Sequence, residues 1–177
     1  MSSGFTNEEL LYPLTKGAQP GHPFEGNQWT KGSVGLSNRS FATLKDVRSG
    51  SDAGPASEHS HIAYEHRQMA QSIEDGMKGG KIPLSKWNEA RTAIEAHKAA
   101  DDAHIKASSA NAKVAVQAIK PATGSTVSRN KMKSLSDAAR NASASAFNAS
   151  ANAEIATRKM SGDNGPSEHD LNEAWGV

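Results

Sequence analysis

The sequence predicts an all-α protein: an elongated, Ala-rich antiparallel helical hairpin or three-helix bundle preceded by an extended N-terminal arm. Three observations carry this. Ser85–Ile119 runs thirty-five residues without Gly or Pro. Its apolar and small positions (Trp87, Ala90, Ile94, His97, Asp101, His104, Ser108, Ala112, Ala115, Ile119) are spaced almost throughout by three or four, which holds side chains on one helical face. A second block, Ser128–Met160, repeats the pattern through Met132, Leu135, Ala139, Ala142, Ala146, Ala149, Ala153 and Ala156. The composition is 36% hydrophobic, much of it Ala, with only four Phe, three Trp and two Tyr, so thin helical packing is favoured over a thick core.

Residues 1–50 read as the arm. Gly, Pro, Ser, Thr and Asn are frequent there and no helical or strand period persists, yet Phe5, Tyr12, Phe24, Trp29 and Phe41 are scattered through it. So many aromatics are unusual in a solvated linker and suggest docking. Residues 51–160 form the bundle. Gly54-Pro55 opens a helix of about 56–77, with Pro55 in its first turn and His59, Ile62, His66, Met69, Ile73 and Met77 on one face. Gly76, Gly79 and Gly80 end it, and Lys81-Ile82-Pro83 makes the turn. The long helix follows over 85–119, some 50 Å, with Ser85 as expected N-cap and Glu89 favouring the dipole. Trp87 is expected to staple the hairpin near its turn. Pro121 ends the long helix, a third covers 128–160, and 161–177 is a tail whose 167–175 stretch suits a short helix pinned by Trp175.

Several function classes lack support in the composition. The net charge is +1, from 20 basic and 19 acidic residues, which argues against general attraction to nucleic acid or anionic membrane. With no cysteine there are no disulfides or thiolate sites. No apolar run reaches the ~18 residues that span a bilayer, and the first residues lack the basic and apolar regions of a secretory signal. The sequons at Asn38, Asn141 and Asn148 are therefore read as chance. No Gly-x-Ser-x-Gly elbow or phosphate-binding loop is present. Glu8-Glu9 and Asp101-Asp102 are read as solvated charge.

The histidines invite a metal reading. A turn centred near residue 80 would set His59 opposite Asp101, with His61, His66, His97 and His104 close by. No HExxH or paired Glu-x-x-His pattern supports it. A polar seam, with His59 bonded to Asp101 and fixing register, is the preferred reading, so no metal or cofactor is expected. Arg129, Lys131 and Lys133 cluster at the start of the third helix, against the dipole; a solvated face is preferred over a phosphate or acidic contact.

The most distinctive stretch is Gln19-Pro-Gly-His-Pro-Phe-Glu-Gly-Asn-Gln-Trp-Thr30. Pro20 and Pro23 restrict the backbone, Gly21 and Gly26 permit turns, and Phe24 and Trp29 are rigid aromatic anchors. An ordinary loop tucking both rings onto its own helices fits equally well. Gly21-His22-Pro23-Phe24-x-Gly26-Asn27-Gln28-Trp29-Thr30 resembles a short peptide of tailed-bacteriophage head-assembly and minor virion proteins. The Ala-x-x-Ala-His97 text and its relative ending at His104 are compositionally similar. The resemblance implies a non-enzymatic structural component of the virion, made in the bacterial cytoplasm and present as a homo-oligomer or in multiple copies. It would dock on capsid, portal or neighbouring subunits through Phe5, Tyr12, His22, Pro23, Phe24, Asn27, Gln28, Trp29 and Phe41. A small phage-encoded regulator of a host protein or nucleic acid is the alternative.

Overall fold

The computed structural model describes residues 27–50, 54–119 and 126–162, and all of its long elements are helical. They are α1 (Asn27–Ser49), α2 (Gly54–Lys78), α3 (Trp87–Ala118) and α4 (Thr126–Ser161), with a 3-10 turn at Leu84–Lys86 before α3. The all-α expectation holds, and the three expected helices lie within two residues of their predicted bounds. The helix count does not hold. Residues 27–49, expected as extended arm, form α1 and complete an up-down-up-down four-helix bundle.

The reason lies in tertiary packing overriding propensity. Gly32, Gly35 and the many Ser, Thr and Asn residues of α1 are weak helix formers. Yet Trp29, Ser33, Leu36, Ser40, Leu44 and Val47, spaced by three or four, are all buried against the other helices. Arg39 adds a polar clamp to α2, with Nη2 2.8 Å from Glu58 Oε1 and Nη1 on the Glu65 carboxylate.

The main apolar cluster sits at the end carrying residue 27, the α2–α3 turn and residue 161. Trp29, Met69, Ile73, Met77, Ile82, Ala90, Ala93, Ile94 and Met160 form it, with Trp87 packed alongside. Trp29 Nε1 donates to Ser72 Oγ at 2.9 Å, and Trp87 Nε1 donates to the Ile82 carbonyl at 3.1 Å, the staple expected of it. Gly80 ends α2 with φ +73°, a left-handed conformation that suits Gly. The Lys81 N–H then reaches Gly76 O at 2.9 Å, and the Gly80 N–H reaches Met77 O at 3.3 Å, closing a Schellman motif. Ser85 does not cap α3. It falls inside the 3-10 turn set by Pro83, and neither the turn nor α3 has a side-chain N-cap bond.

Gly76 is required by contact. A Cβ there would stand 2.9 Å from Trp29 Cζ2 and 3.2 Å from Cη2. Gly76→Ala is expected to lower unfolding free energy by about 1–3 kcal/mol, the usual cost of overpacking. Denaturant titration followed by tryptophan fluorescence measures it, and an unchanged midpoint would contradict this packing.

Candidate functional site

Above the apolar cluster the bundle interior turns polar at seven-residue intervals. α1 contributes Ser33 and Ser40, α2 His59 and His66, α3 His97, His104 and Asn111, and α4 Ser143, Ser150 and Thr157. All ten are buried, and the four histidines are fully so. A heptad step keeps one seam facing the bundle axis, so α1 and α2 each deliver two polar side chains to it and α3 and α4 three each.

The histidines pair ring to ring. His59 and His104 approach Nδ1 to Nδ1 at 2.8 Å, and so do His66 and His97. The outer nitrogens meet hydroxyls: His59 Nε2 and Ser143 Oγ at 2.9 Å, His66 Nε2 and Ser150 Oγ at 2.8 Å. His104 Nε2 lies 2.9 Å from Ser150 Oγ and 3.2 Å from Ser40 Oγ. His97 Nε2 lies 3.0 Å from Thr157 Oγ1 and 3.1 Å from Ser33 Oγ. Ser150 thereby joins the two pairs.

Donor–acceptor matching assigns every proton in this chain. At one end Asn111 Nδ2, which can only donate, gives to Ser143 Oγ at 3.1 Å and to Ala107 O at 2.8 Å. At the other end Thr157 Oγ1 donates to the Ala153 carbonyl, which can only accept, at 2.8 Å. Thr157 must then accept from His97 Nε2–H. His97 Nδ1 therefore accepts from His66 Nδ1–H, and His66 Nε2 accepts the Ser150 hydroxyl. Ser150 in turn accepts from His104 Nε2–H, His104 Nδ1 from His59 Nδ1–H, and His59 Nε2 from the Ser143 hydroxyl. The reverse direction would ask the single Thr157 proton to serve both the Ala153 carbonyl and His97 Nε2. One direction satisfies all groups, with four neutral imidazoles: His59 and His66 as Nδ1–H tautomers, His97 and His104 as Nε2–H tautomers.

The electrostatics agree with neutrality. Burial pushes His59 down to about 4, against a smaller opposing pull from Glu58. Burial brings His97 to about 3, and burial with help from His59 and Arg39 brings His104 to about 3. His66 is held well below the ordinary imidazole range by burial, then by His97, His104 and Arg39. Desolvation penalises the cation, and no carboxylate sits within the network to offset that.

The polar seam of the sequence reading therefore exists with different partners. His59 bonds His104, not Asp101. Asp101 receives a two-point contact from Arg67 (Nε to Oδ2 at 2.9 Å, Nη2 to Oδ1 at 3.1 Å), so it is neither in the seam nor a bare solvated charge. His61 is exposed on the outer face of α2. Both histidine pairs centre between Lys81 and Ile82, because Pro83 and the 3-10 turn lengthen the connection. That shift moves the facing residue by three, most of a helical turn. Among the described residues no group of three or more His, Asp or Glu is arranged to hold a metal ion.

Of the expected docking residues, Phe5, Tyr12, His22, Pro23 and Phe24 lie outside the described residues. Asn27 and Gln28 open α1, with Gln28 half-buried. Trp29 is 1% exposed and belongs to the core, which corrects its reading as a docking anchor. Phe41 is half-buried, its ring 5.4 Å from that of Phe147. The serines, Thr157 and Asn111 escaped the sequence reading; their recurrence at seven in step with the histidines is the signal that finds them. In comparisons with known proteins, no family profile, curated protein or solved structure matches this chain. No helix among the described residues is long and apolar enough to cross a membrane.

Proposed function

We propose that this chain is a non-enzymatic structural component of a tailed-bacteriophage virion, docking on capsid, portal or neighbouring subunits. The observation that carries the structural part is the closed interior. The buried chemistry-bearing side chains are bonded to one another in a network that touches all four helices. Such an interior favours a rigid module with one register over a site that must admit a substrate. The virion setting rests on the peptide of residues 21–30. Its last residues open α1, and Trp29 keys that start into the core, so the preceding segment is tethered to a rigid body. Phe5, Tyr12, His22, Pro23 and Phe24 remain the candidate docking groups.

Mass spectrometry of purified particles tests this. A structural component appears at a fixed ratio to the major capsid protein, and deleting residues 1–24 removes it from particles while the bundle still folds. Early synthesis with exclusion from particles would overturn the reading and favour the regulator.

A further inference from the structure

At the end opposite Trp29, α3 and α4 outrun the other helices. α1 stops at Ser49, and α2 begins at Gly54 beside Ser108, whose Oγ donates to Ala56 O at 2.8 Å. Past Asn111 on α3, and before Ala139 on α4, no described residue is buried. The seven residues from Ala112 to Ala118 extend this two-helix tip by about 10 Å. It exposes Ile119 (83%), Val127 (76%) and Val116 (53%). On its flank a groove of about 480 Å³ is lined by Ile105, Lys106, Lys113, Leu135 and Ala138 among others.

The tip is also strongly basic. Residues 105–119 and 126–140 contain Lys106, Lys113, Arg129, Lys131, Lys133 and Arg140, against a single acid, Asp137. Asp137 is already engaged by Lys133 at 2.8 Å and Arg140 at 3.9 Å. With the whole chain at +1, the remainder is net acidic. Exposed branched apolar side chains between the cations favour an acidic, apolar protein segment over a phosphate backbone.

The chain contains one such segment past α4. Residues 163–177 carry Asp163, Glu168, Asp170 and Glu173 with no Lys or Arg, and Leu171 and Trp175 are spaced four apart. α4 runs away from the tip, so this segment leaves from the far end of the bundle. Helix from Leu135 to Ser161 covers about 39 Å. The ten residues from Ser161 to Leu171 reach at most about 36 Å even fully extended. Leu171 therefore stops short of Val127, which stands about 51 Å along α4 from Ser161 at the tip of its own chain.

We propose that the basic, apolar tip of α3 and α4 in one copy receives the acidic segment 163–177 of a second copy. The contact is heterologous: each copy offers one tip and one segment, so copies add head to tail into a ring or a filament. It goes beyond the virion reading and stands without it, since association of the purified chain tests the contact and particle composition tests the setting.

The test is sedimentation velocity on the full chain and on two charge variants, R129E/K131E/K133E at the tip and E168K/D170K/E173K in the segment. Arg129, Lys131 and Lys133 are exposed, and circular dichroism checks that each variant keeps its helices. The wild type is expected to associate with concentration and to weaken in high salt. Each variant alone should lose affinity by at least about tenfold. Mixing the two sets the native basic tip of one variant against the native acidic segment of the other, so the mixture should associate where neither variant does alone. A monomeric wild type, or a mixture that stays monomeric, would overturn the proposal, as would a segment variant that associates like the wild type.

Discussion

Replacing His66 by alanine lowers the unfolding free energy by about 3–5 kcal/mol, more than the lost ring alone would suggest. Removing the ring opens a cavity in a fully buried layer, whose cost resembles that of other large-to-small core changes. It also strands His97 Nδ1 without a donor, at about 1–3 kcal/mol. The double variant His66→Leu/His97→Leu is expected to cost less than His66→Ala. Both partners leave together and apolar volume refills the layer, while Ser150 can turn to a backbone carbonyl of its own helix and Thr157 already donates to Ala153 O. A double-mutant cycle on His66 and His97, read by denaturant unfolding, should show coupling of about 1–3 kcal/mol. Additive single effects would mean that the rings pack without sharing a proton.

Mild acid is expected to unfold the bundle. The folded histidines titrate far below the ordinary value of about 6.5 that they regain on unfolding. At each depressed site the unfolded chain binds protons first. Stability is therefore full above pH ~6.5 and falls as pH drops from there toward the folded values. Between pH 7 and pH 5 each histidine withdraws about 2 kcal/mol. Four acting together remove roughly 8 kcal/mol, comparable to the whole stability of many domains. The geometry gives the same sign. Every unprotonated ring nitrogen already faces an N–H or O–H donor, so an added proton sets donor against donor. Across the network stand the hydroxyls of Ser33, Ser40, Ser143, Ser150 and Thr157, with Arg39 adding a further bias against the cation. Glu58 favours protonated His59 but is paired with Arg39. Thermal melts followed by circular dichroism should show Tm flat from pH 8 to about pH 6.5 and falling steeply below it. A Tm that holds to pH 5 would place the charged forms inside the fold.

The uneven legibility of the fold follows from what each segment contains. α2, α3 and α4 were readable because long stretches keep three-and-four spacing and end at Gly or Pro. Gly80 and Pro83 mark the α2–α3 turn in the sequence as they do in space. α1 was not readable: two glycines and many hydroxyl residues mask an apolar stripe of only Trp29, Leu36, Leu44 and Val47, which packing makes helical. The site was half legible. Histidines recurring on two helices announced a polar seam, but a displacement of three residues at the turn exchanged Asp101 for His104 as the partner of His59. The matching serines looked like surface composition until a second helix supplied the histidines they bond.

One neutral, one-directional hydrogen-bond chain from Asn111 to the Ala153 carbonyl sets the register of α2, α3 and α4, and Ser33 and Ser40 tie α1 to it at His97 and His104. Long-range proton–nitrogen correlation NMR on nitrogen-15 histidine at pH 7 tests it most directly, because each tautomer has its own pair of ring-nitrogen shifts. The expected spectrum has four neutral, non-averaging rings, with His59 and His66 protonated at Nδ1 and His97 and His104 at Nε2. An imidazolium among these four, tautomers averaging on the shift timescale, or the opposite assignment would contradict it.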